Sequence, residues 1–466
     1  MTVRVAVIGA GVSAATIARR VFSTYSHIEL TIFDATPPQK HLAFGQVDER
    51  MLCNTSTSVM SIDAEDPQDF ARFLGCGTLE SSSIFPAREK YGHYLQQALL
   101  REVSTSRDCL RFIPDSVVCV EDSTDPIIII HTGHHGFFKA DFVVITGNQR
   151  VPRIPPSCRS YRGAAPVFSS PYDPGFLAWL KVHPASRIGI LGTGLSAVDA
   201  ARLALFEGVK AVMLSPSGQL PGVRTSLQIN APSEISSSEF RSHSHSVEDF
   251  RKYATWCANS LGWNPGRLRE YICKNGTDRF LLDYELAENG YSVWEKMIGR
   301  MVDLANQIWS PLIAPLRCAL LNGIADWIRH YVTAMPVQSA KTLQEGFHTG
   351  SLMLACGEGI GEQARNAVDL KDTSGNSYRV EAVVCACGYE NLGWVRQGEG
   401  VFPGQIKPNV SRWAGTPLNN GWGSARVGGR VLFAGEAAAL TTAIPSYART
   451  SVMQAVSVID WINSET

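Results

Sequence analysis

The sequence has no apolar run long enough to cross a membrane. Its most apolar long stretch, WSPLIAPLRCALLNGIADWI from Trp309, is interrupted by two prolines, Arg317 and Asp326, and is expected to form a packed core helix. Charge of one sign is also missing. Lysine and arginine number 42 and acidic residues 43, for a formal net charge of −1, so no broad basic field favours nucleic acid or an anionic membrane. Paired cysteine spacings are absent: the eleven cysteines contain no CxxC or CxxH, which leaves no zinc site, and their odd number argues for free thiols. Cys385 and Cys387 share one face of the apolar run AVVCACGYE and read as buried strand residues. The first residues lack the layout of a secretory signal and run straight into MTVRVAVIGAG, which predicts a cytoplasmic protein.

What is present is a globular composition, 45% hydrophobic and 18% charged over 466 residues, enough for two or three subdomains. The chain opens as strand, glycine turn, helix and strand: VRVAVIG, then SAATIARRVFSTY, then IELTIFD ending at Asp34. Helical patterns follow in PQDFARFL and REKYGHYLQQALLREV, then short strands as far as ADFVVITG. The proline-rich NQRVPRIPP reads as a crossover. A second unit starts near Pro184 with RIGILGTGLSAVDAARLAL and continues into the strand GVKAVMLSPSG. From about Glu234 to Glu345 the pattern turns helical and aromatic, and strands resume at GSLMLACGEG and AVVCACGYE. The predicted fold class is α/β, with two Rossmann-like dinucleotide-binding domains, the second interrupted by a mainly helical insertion.

Both glycine turns have the physical layout of a pyrophosphate cradle. The first glycine permits the tight turn, the second lets backbone N–H groups approach the anion, and a third small residue lets helix and strand pack closely. Gly9, Gly11 and Ala14 meet these needs, Ser13 lies on the same turn, and Asp34 stands where a carboxylate would take an adenosine ribose. Gly192, Gly194 and Ala197 repeat the pattern, with Thr193, Leu195 and Ser196 between them. Two such units in one chain most simply bind two dinucleotides. At the end of the second unit's second strand, Ser215 and Ser217 occupy the place of a ribose carboxylate or a phosphate-binding arginine. Arg224 in LPGVRT lies further on and could serve, or could be a surface arginine, so the choice of NADH or NADPH stays open.

On these residues the chain resembles flavoproteins with two dinucleotide-binding domains. DFVVITGNQRVPRIP and AVVCACGYE are similar to segments of flavin-containing monooxygenases and amino-acid N-hydroxylases, and VLFAGEAAA resembles their C-terminal flavin strand. The stretches LAFGQVDERMLCNTSTSVMSIDAEDPQDFARFL, FPAREKYGHYL, SSPYDP and GTGLSAVD resemble a bacterial family of FAD/NAD(P)-binding proteins. The resemblance implies FAD at the first turn and NAD(P)H at the second. It implies FAD contacts at Gly435 and Glu436, a helix starting near Thr441 at the flavin edge, and Asn54 and Met60 beside the isoalloxazine. It divides the chain into FAD-binding parts at 1–155 and 396–466, an NAD(P)-binding part at 156–233 and 346–395, and a helical substrate or lid region at 234–345. Two departures stand out: Pro216 and Ser217 replace an expected arginine pair, and EAAALTTAIPSYARTS follows the general flavoprotein pattern more than that family's ending.

The implied activity is a flavin monooxygenase that passes oxygen from a flavin hydroperoxide to a small molecule, with amine or amino-acid N-hydroxylation favoured and molecular oxygen as partner. The alternatives are an NAD(P)H-flavin reductase without oxygen transfer and a non-catalytic redox sensor. A disulfide reductase is rejected, because only Cys53 lies in the region after the first unit and it reads as a small buried hydrophobe. His134, His135, His243 and His245 read as solvated loop residues and His330 as a satisfied core residue, so no catalytic base is assigned. A homo-oligomer is left open.

Overall fold

The computed structural model describes the chain apart from residues 1, 38–40, 42–43, 46–47, 78–79, 106–108, 123–125, 229–234, 263–273, 293, 358, 365–366, 405–415, 419–421 and 446. Two parallel sheets organise it. The first runs in the spatial order Thr416–Pro417, Ala425–Val427, Val431–Phe433, Phe142–Ile145, Val3–Ile8, Ile28–Phe33, Leu110–Ile113. Its last five strands are all parallel. VRVAVI and FVVI are near-continuous apolar runs because a parallel sheet is covered on both faces. Val5, Val7 and Val144 pack with Ala14 and Ile17 of helix Val12–Thr24 and Val458 and Ile459 of helix Ala448–Ser464. Ala6, Ile8, Val143 and Ile145 face the other way, onto Val120, Ile128 and Ile130 of a five-stranded antiparallel sheet.

The second sheet, also parallel, runs Leu352–Cys356, Lys210–Ser215, Arg187–Leu191, Ala382–Cys385, Val167–Phe168. Helices Leu195–Phe206 and Val337–His348 cover one face through Ala197, Ala201, Ala340 and Leu343. A three-stranded meander covers the other through Val368, Leu370 and Val380. The two units are joined by paired crossovers, Gln149–Pro152 lying antiparallel to Tyr389–Leu392. The α/β class with two doubled strand–turn–helix units is the observed fold.

Two expected boundaries fall inside elements. The cut at 345/346 lies within helix Val337–His348, which packs on the second-turn helix and so belongs to the second unit. The cut at 395/396 divides the strand Trp394–Gln397, which pairs with Gly400–Pro403 in the antiparallel sheet beneath the first unit. The cut at 233/234 falls outside the described residues. The Trp309 stretch is not one core helix. Pro315 restarts it as Ala314–Gly323, where only Arg317 and Leu320 turn inward, while Ile313 is 72% exposed.

The inserted helices do not form a body of their own. Phe240, Phe250, Met301 and Trp309 share one core with Ile444, Tyr447 and Val458 of the first unit, whereas Phe280 and Ala287 join the core of the second. Asn306, fully buried on helix Glu295–Ile308, fastens the first contact. Its amide donates to Ile444 O at 3.1 Å and Thr450 Oγ1 at 2.8 Å, and its carbonyl accepts from Ile444 N at 2.7 Å. An Asn306→Ala change leaves those partners unpaired in the core, and chemical denaturation is expected to show a loss of about 3 kcal/mol in stability.

Candidate functional site

At the end of strand Val3–Ile8 the backbone turns through Gly9, whose φ is +105° and whose side, if it carried a Cβ, would meet Thr146 Oγ1 at 2.7 Å. Only glycine fits there. Gly11 is the opposite case: no heavy atom lies within 4 Å of the place a Cβ would take. Gly11 is also the N-cap of helix Val12–Thr24, with no side-chain cap and no acidic residue in the first turn. The helix therefore begins with bare N–H donors and an uncompensated positive dipole end. They border a cavity of about 520 Å³ lined by Gly9, Gly11, Ser13, Asp34, Asn148 and Glu436 among others. Ala14 is fully buried and closes helix against sheet.

Asp34 sits on the cavity wall. Its carboxylate accepts from Ala10 N and Thr36 N, each at 2.8 Å, and lies 3.3 Å from His41 Nε2. His41 carries no sequence signal of its own. Across the cavity Gly435, at φ +61°, leaves only 2.7 Å between a would-be Cβ and Ser13 Oγ. Its N–H donates to Gln454 Oε1 at 2.7 Å, and Ser13 Oγ donates to Ser451 O at 3.3 Å. Glu436 pairs with Arg150, and its carbonyl accepts from Asn148 Nδ2 at 2.6 Å. The Asn148 side-chain oxygen is buried without a partner, an acceptor left for a ligand donor. The walls thus offer anion-binding N–H groups, a carboxylate and an amide oxygen, the donor and acceptor set a dinucleotide's pyrophosphate, ribose and heterocycle require.

Asn54, Met60 and Thr441 do not line this cavity. Met60 is 1% exposed and packs in the core. Thr441 gives its hydroxyl to Gly423 O at 2.6 Å, and the helix expected to start there begins at Ala448. In the stretch that leads to Asn54, residues 43 and 46–47 lie outside the described residues.

The second turn repeats the first. Gly192 has φ +119°, and a Cβ there would stand 2.3 Å from Ala386 O, while Gly194 has nothing within 4 Å. Gly194 caps helix Leu195–Phe206 with no side-chain bond and no acid in the first turn. Thr193 Oγ1 lies 2.9 Å from Ser215 Oγ, which accepts from Gly218 N at 3.1 Å. Ser217 Oγ accepts from Gln219 N at 3.3 Å. The hydroxyls at the discriminating position thus shape the loop that holds them.

Arg224 is corrected. It is neither on the surface nor open to a nucleotide, being 1% exposed. Its strand Val223–Arg224 pairs with Met335–Pro336 and turns the guanidinium inward. There it donates to Asn54 O at 3.1 Å, Tyr331 O at 2.6 Å and Val332 O at 2.9 Å. Tyr331 and Val332 end a π-helical turn, Ile328–Val332, where the last carbonyls of a helix have no donor within it. Burial pulls the Arg224 pKa down to about 10. Cys53 is buried, and burial pushes its thiol up to about 12, far from a reactive thiolate. His330 pairs with Asp283 at 3.0 Å inside the protein. His134 and His135 are exposed loop residues as expected, and both rings also reach the buried Asp115 carboxylate, at 3.0 and 2.9 Å. No helix among the described residues is long and apolar enough to cross a membrane.

Comparison with known proteins bears on this geometry. Residues 6–149 match a family model described as FAD-NAD(P)-binding. No curated protein sequence matches the chain. Among solved structures it is similar to ornithine hydroxylase of Pseudomonas aeruginosa, at 14% identity and TM-score 0.56, over 99% of this chain and 100% of that one. It is also similar to the desferrioxamine-pathway cadaverine monooxygenase of Erwinia amylovora, at 14% identity and TM-score 0.57, over 97% and 94% of the two chains. For cyclohexanone monooxygenase the values are 13%, 0.52, 100% and 87%. At these identities the likeness speaks for the fold, and the fold of this chain is the one these monooxygenases share.

Proposed function

We propose that the protein is an FAD- and NAD(P)H-dependent monooxygenase acting on a small amine or amino acid with molecular oxygen. One observation carries this reading: two bare helix N-termini, each at the end of a parallel strand, each opened by a glycine with no space and followed by a glycine with nothing but space. One such turn would serve a simple dehydrogenase, whereas two give a flavoenzyme its own reductant site. FAD, when bound, supplies hydride acceptance and reaction with oxygen. The chain supplies the rest. The N–H groups after Gly11 hold the first pyrophosphate, Asp34 takes the ribose, Asn148 offers an acceptor, and Gly435 and Glu436 flank the ribityl chain. Gly192 to Ser196 hold the second nucleotide. The helical insertion, packed against both units, keeps water from the reacting centre. The preference for an amine rests on the fold's occurrence in the ornithine and cadaverine enzymes. A cytoplasmic location is part of the same reading.

The deciding experiment is anaerobic reduction of the FAD-loaded protein with NADH and with NADPH, followed by mixing with labelled oxygen and candidate amines. An N-hydroxylated product carrying one labelled atom is expected. Hydrogen peroxide as the sole product with every amine would favour a reductase, and failure of both nucleotides to reduce the flavin would favour a redox sensor.

The two turns are separable by substitution. Gly11→Val fills the first cradle and is expected to lower FAD affinity at least about tenfold, measured by fluorescence titration. Gly194→Val should leave FAD bound and abolish its reduction by nucleotide, measured by anaerobic absorbance.

FAD affinity should also depend on pH through His41. Burial works against charge on this ring, yet the bond and attraction to Asp34 outweigh it, so its pKa lies above the ordinary histidine value of about 6.5. The stabilisation from the pair is full below that value and is lost as pH rises through the raised pKa. A ribose that takes Asp34 competes with protonated His41. Titrations between about pH 6 and 8 are therefore expected to show tighter FAD binding at higher pH, and His41→Ala should flatten the trend.

A further inference from the structure

Four stretches distant in the sequence, DERMLCN, FPAREKY, SSPYDP and GTGLSAVD, meet in one seam between the two units. Arg88, the first residue of helix Arg88–Thr105, is its centre. Its Nε donates to Leu52 O at 3.0 Å, its Nη1 to Tyr172 OH at 2.7 Å, and its Nη2 lies 2.7 Å from Asp199 Oδ2. Tyr172 OH donates to Asp199 Oδ2 at 3.2 Å and lies 3.5 Å from Ser196 Oγ, on the first turn of the second glycine helix. Further along that helix, Arg202 donates to Arg50 O at 2.6 Å and Glu207 pairs with Arg50 at 2.7 Å. Tyr172 also stacks on Tyr389 of the crossover, with ring centroids 6.4 Å apart.

The geometry has a directional consequence. Asp199 is 4% exposed, and the Arg88 side chain is 14% exposed. Burial opposes the charge on Arg88, but Asp199 outweighs it and holds the guanidinium protonated. A planar guanidinium with three different acceptors has one arrangement that satisfies all of them. The second helix therefore cannot slide or rotate against residues 50–54 without stranding buried donors.

We propose that Arg88 and Tyr172 are positioning residues, which lock the second glycine turn against the Leu52–Asn54 segment of the first unit, so that a nucleotide cradled at the second turn would meet the cofactor cradled at the first in a single orientation. This rests on the two-nucleotide reading above and deepens it: the second unit stays docked, so that a bound nicotinamide would pass its hydride to a bound flavin within a fixed cleft rather than after a domain rotation. The seam acts through the Leu52 carbonyl on one side and Ser196 on the other.

The test uses Tyr172→Phe, Arg88→Met and Arg88→Lys in the FAD-loaded protein, with NADPH and NADH as probes. Misalignment without loss of the phosphate cradle should leave the nucleotide dissociation constant within about threefold of wild type. The limiting rate of anaerobic flavin reduction should fall about tenfold or more, with Arg88→Lys recovering part of it. Re-oxidation of dithionite-reduced protein by oxygen should keep its wild-type rate. In the cofactor-free protein, hydrogen exchange should rise together at 51–54 and 195–202 in Arg88→Met. Limiting rates within about twofold of wild type in both Tyr172→Phe and Arg88→Met would overturn the proposal, as would exchange that rises on one side only. Should Arg88→Met fail to fold, Tyr172→Phe decides, since it removes a single hydroxyl. A wild-type flavin that neither nucleotide reduces overturns the proposed function itself, while the exchange measurement still reports on the seam.

Discussion

Two helices of this protein start, directly after a strand and a glycine, with N–H groups that no side chain caps. Leaving them bare is costly unless a ligand or water completes them, and most helices avoid the cost with a serine, threonine or aspartate cap. Helices Ser237–Ser242 and Val247–Ser260 do so, through Ser236 and Ser246. The helices after Gly11 and Gly194 do not. Everything around them follows from keeping those ends open. Gly9 and Gly192 must turn the chain where a side chain would collide with Thr146 or with the Ala386 carbonyl. Ala14 and Ala197 must be small, because the helix has to lie close on the strand for its end to point into the cleft.

The insertion is fastened to both units. A helical block hung from one unit would move with it. Here Phe240, Phe250 and Trp309 are buried with the first unit's last helix, while Phe280 and Ala287 are buried with the second unit. Arg224 adds a polar tie at the junction. From a strand just after the second unit's turn, its guanidinium reaches the Asn54 carbonyl and two carbonyls of the π-helical turn. A buried cation whose hydrogen bonds go to backbone oxygens is tolerable because each donor that bonds recovers part of the lost hydration, and the Trp294 ring lies 5.8 Å from the guanidinium. Glu295, close enough to act on it electrostatically, is itself held by four donors from Thr225 and Ser226.

The sequence made the architecture legible where local physics is strong. RIGIL, AVVC, FVVI and VRVAVI read as strands and are buried parallel strands, and both glycine turns announce themselves by spacing. Legibility fails where a residue's role depends on what lies opposite. Arg224 carries no mark that its strand would face inward. His41 lies in a polar stretch with no pattern, and its meeting with Asp34 is a product of the loop's path. The Trp309 stretch looked like a core helix because apolar content says nothing about which face is covered, and Ile313 ends up in solvent. Asp115 draws two loop histidines for the same reason: the contact spans nineteen and twenty positions across a hairpin, beyond any periodicity.

The motifs that suggested a family turn out to encode an interface more than a reaction. Arg50, Leu52, Arg88, Tyr172 and Asp199 come from four quoted stretches, and none of them lines the cavity at the first turn. Leu52, Arg88, Tyr172 and Asp199 touch one another instead, and Arg50 reaches Arg202 and Glu207 of the second-turn helix. A cleft between two units can vary its substrate pocket freely only if the distance between its two nucleotides does not vary with it. Surface ion pairs cannot hold that distance, because each is worth little and is screened by salt. A buried guanidinium shared between a carbonyl, a phenol and a carboxylate can, because any shift leaves a polar group unpaired in a place without water. The most distinctive residues of the sequence therefore lie where the two units are fastened.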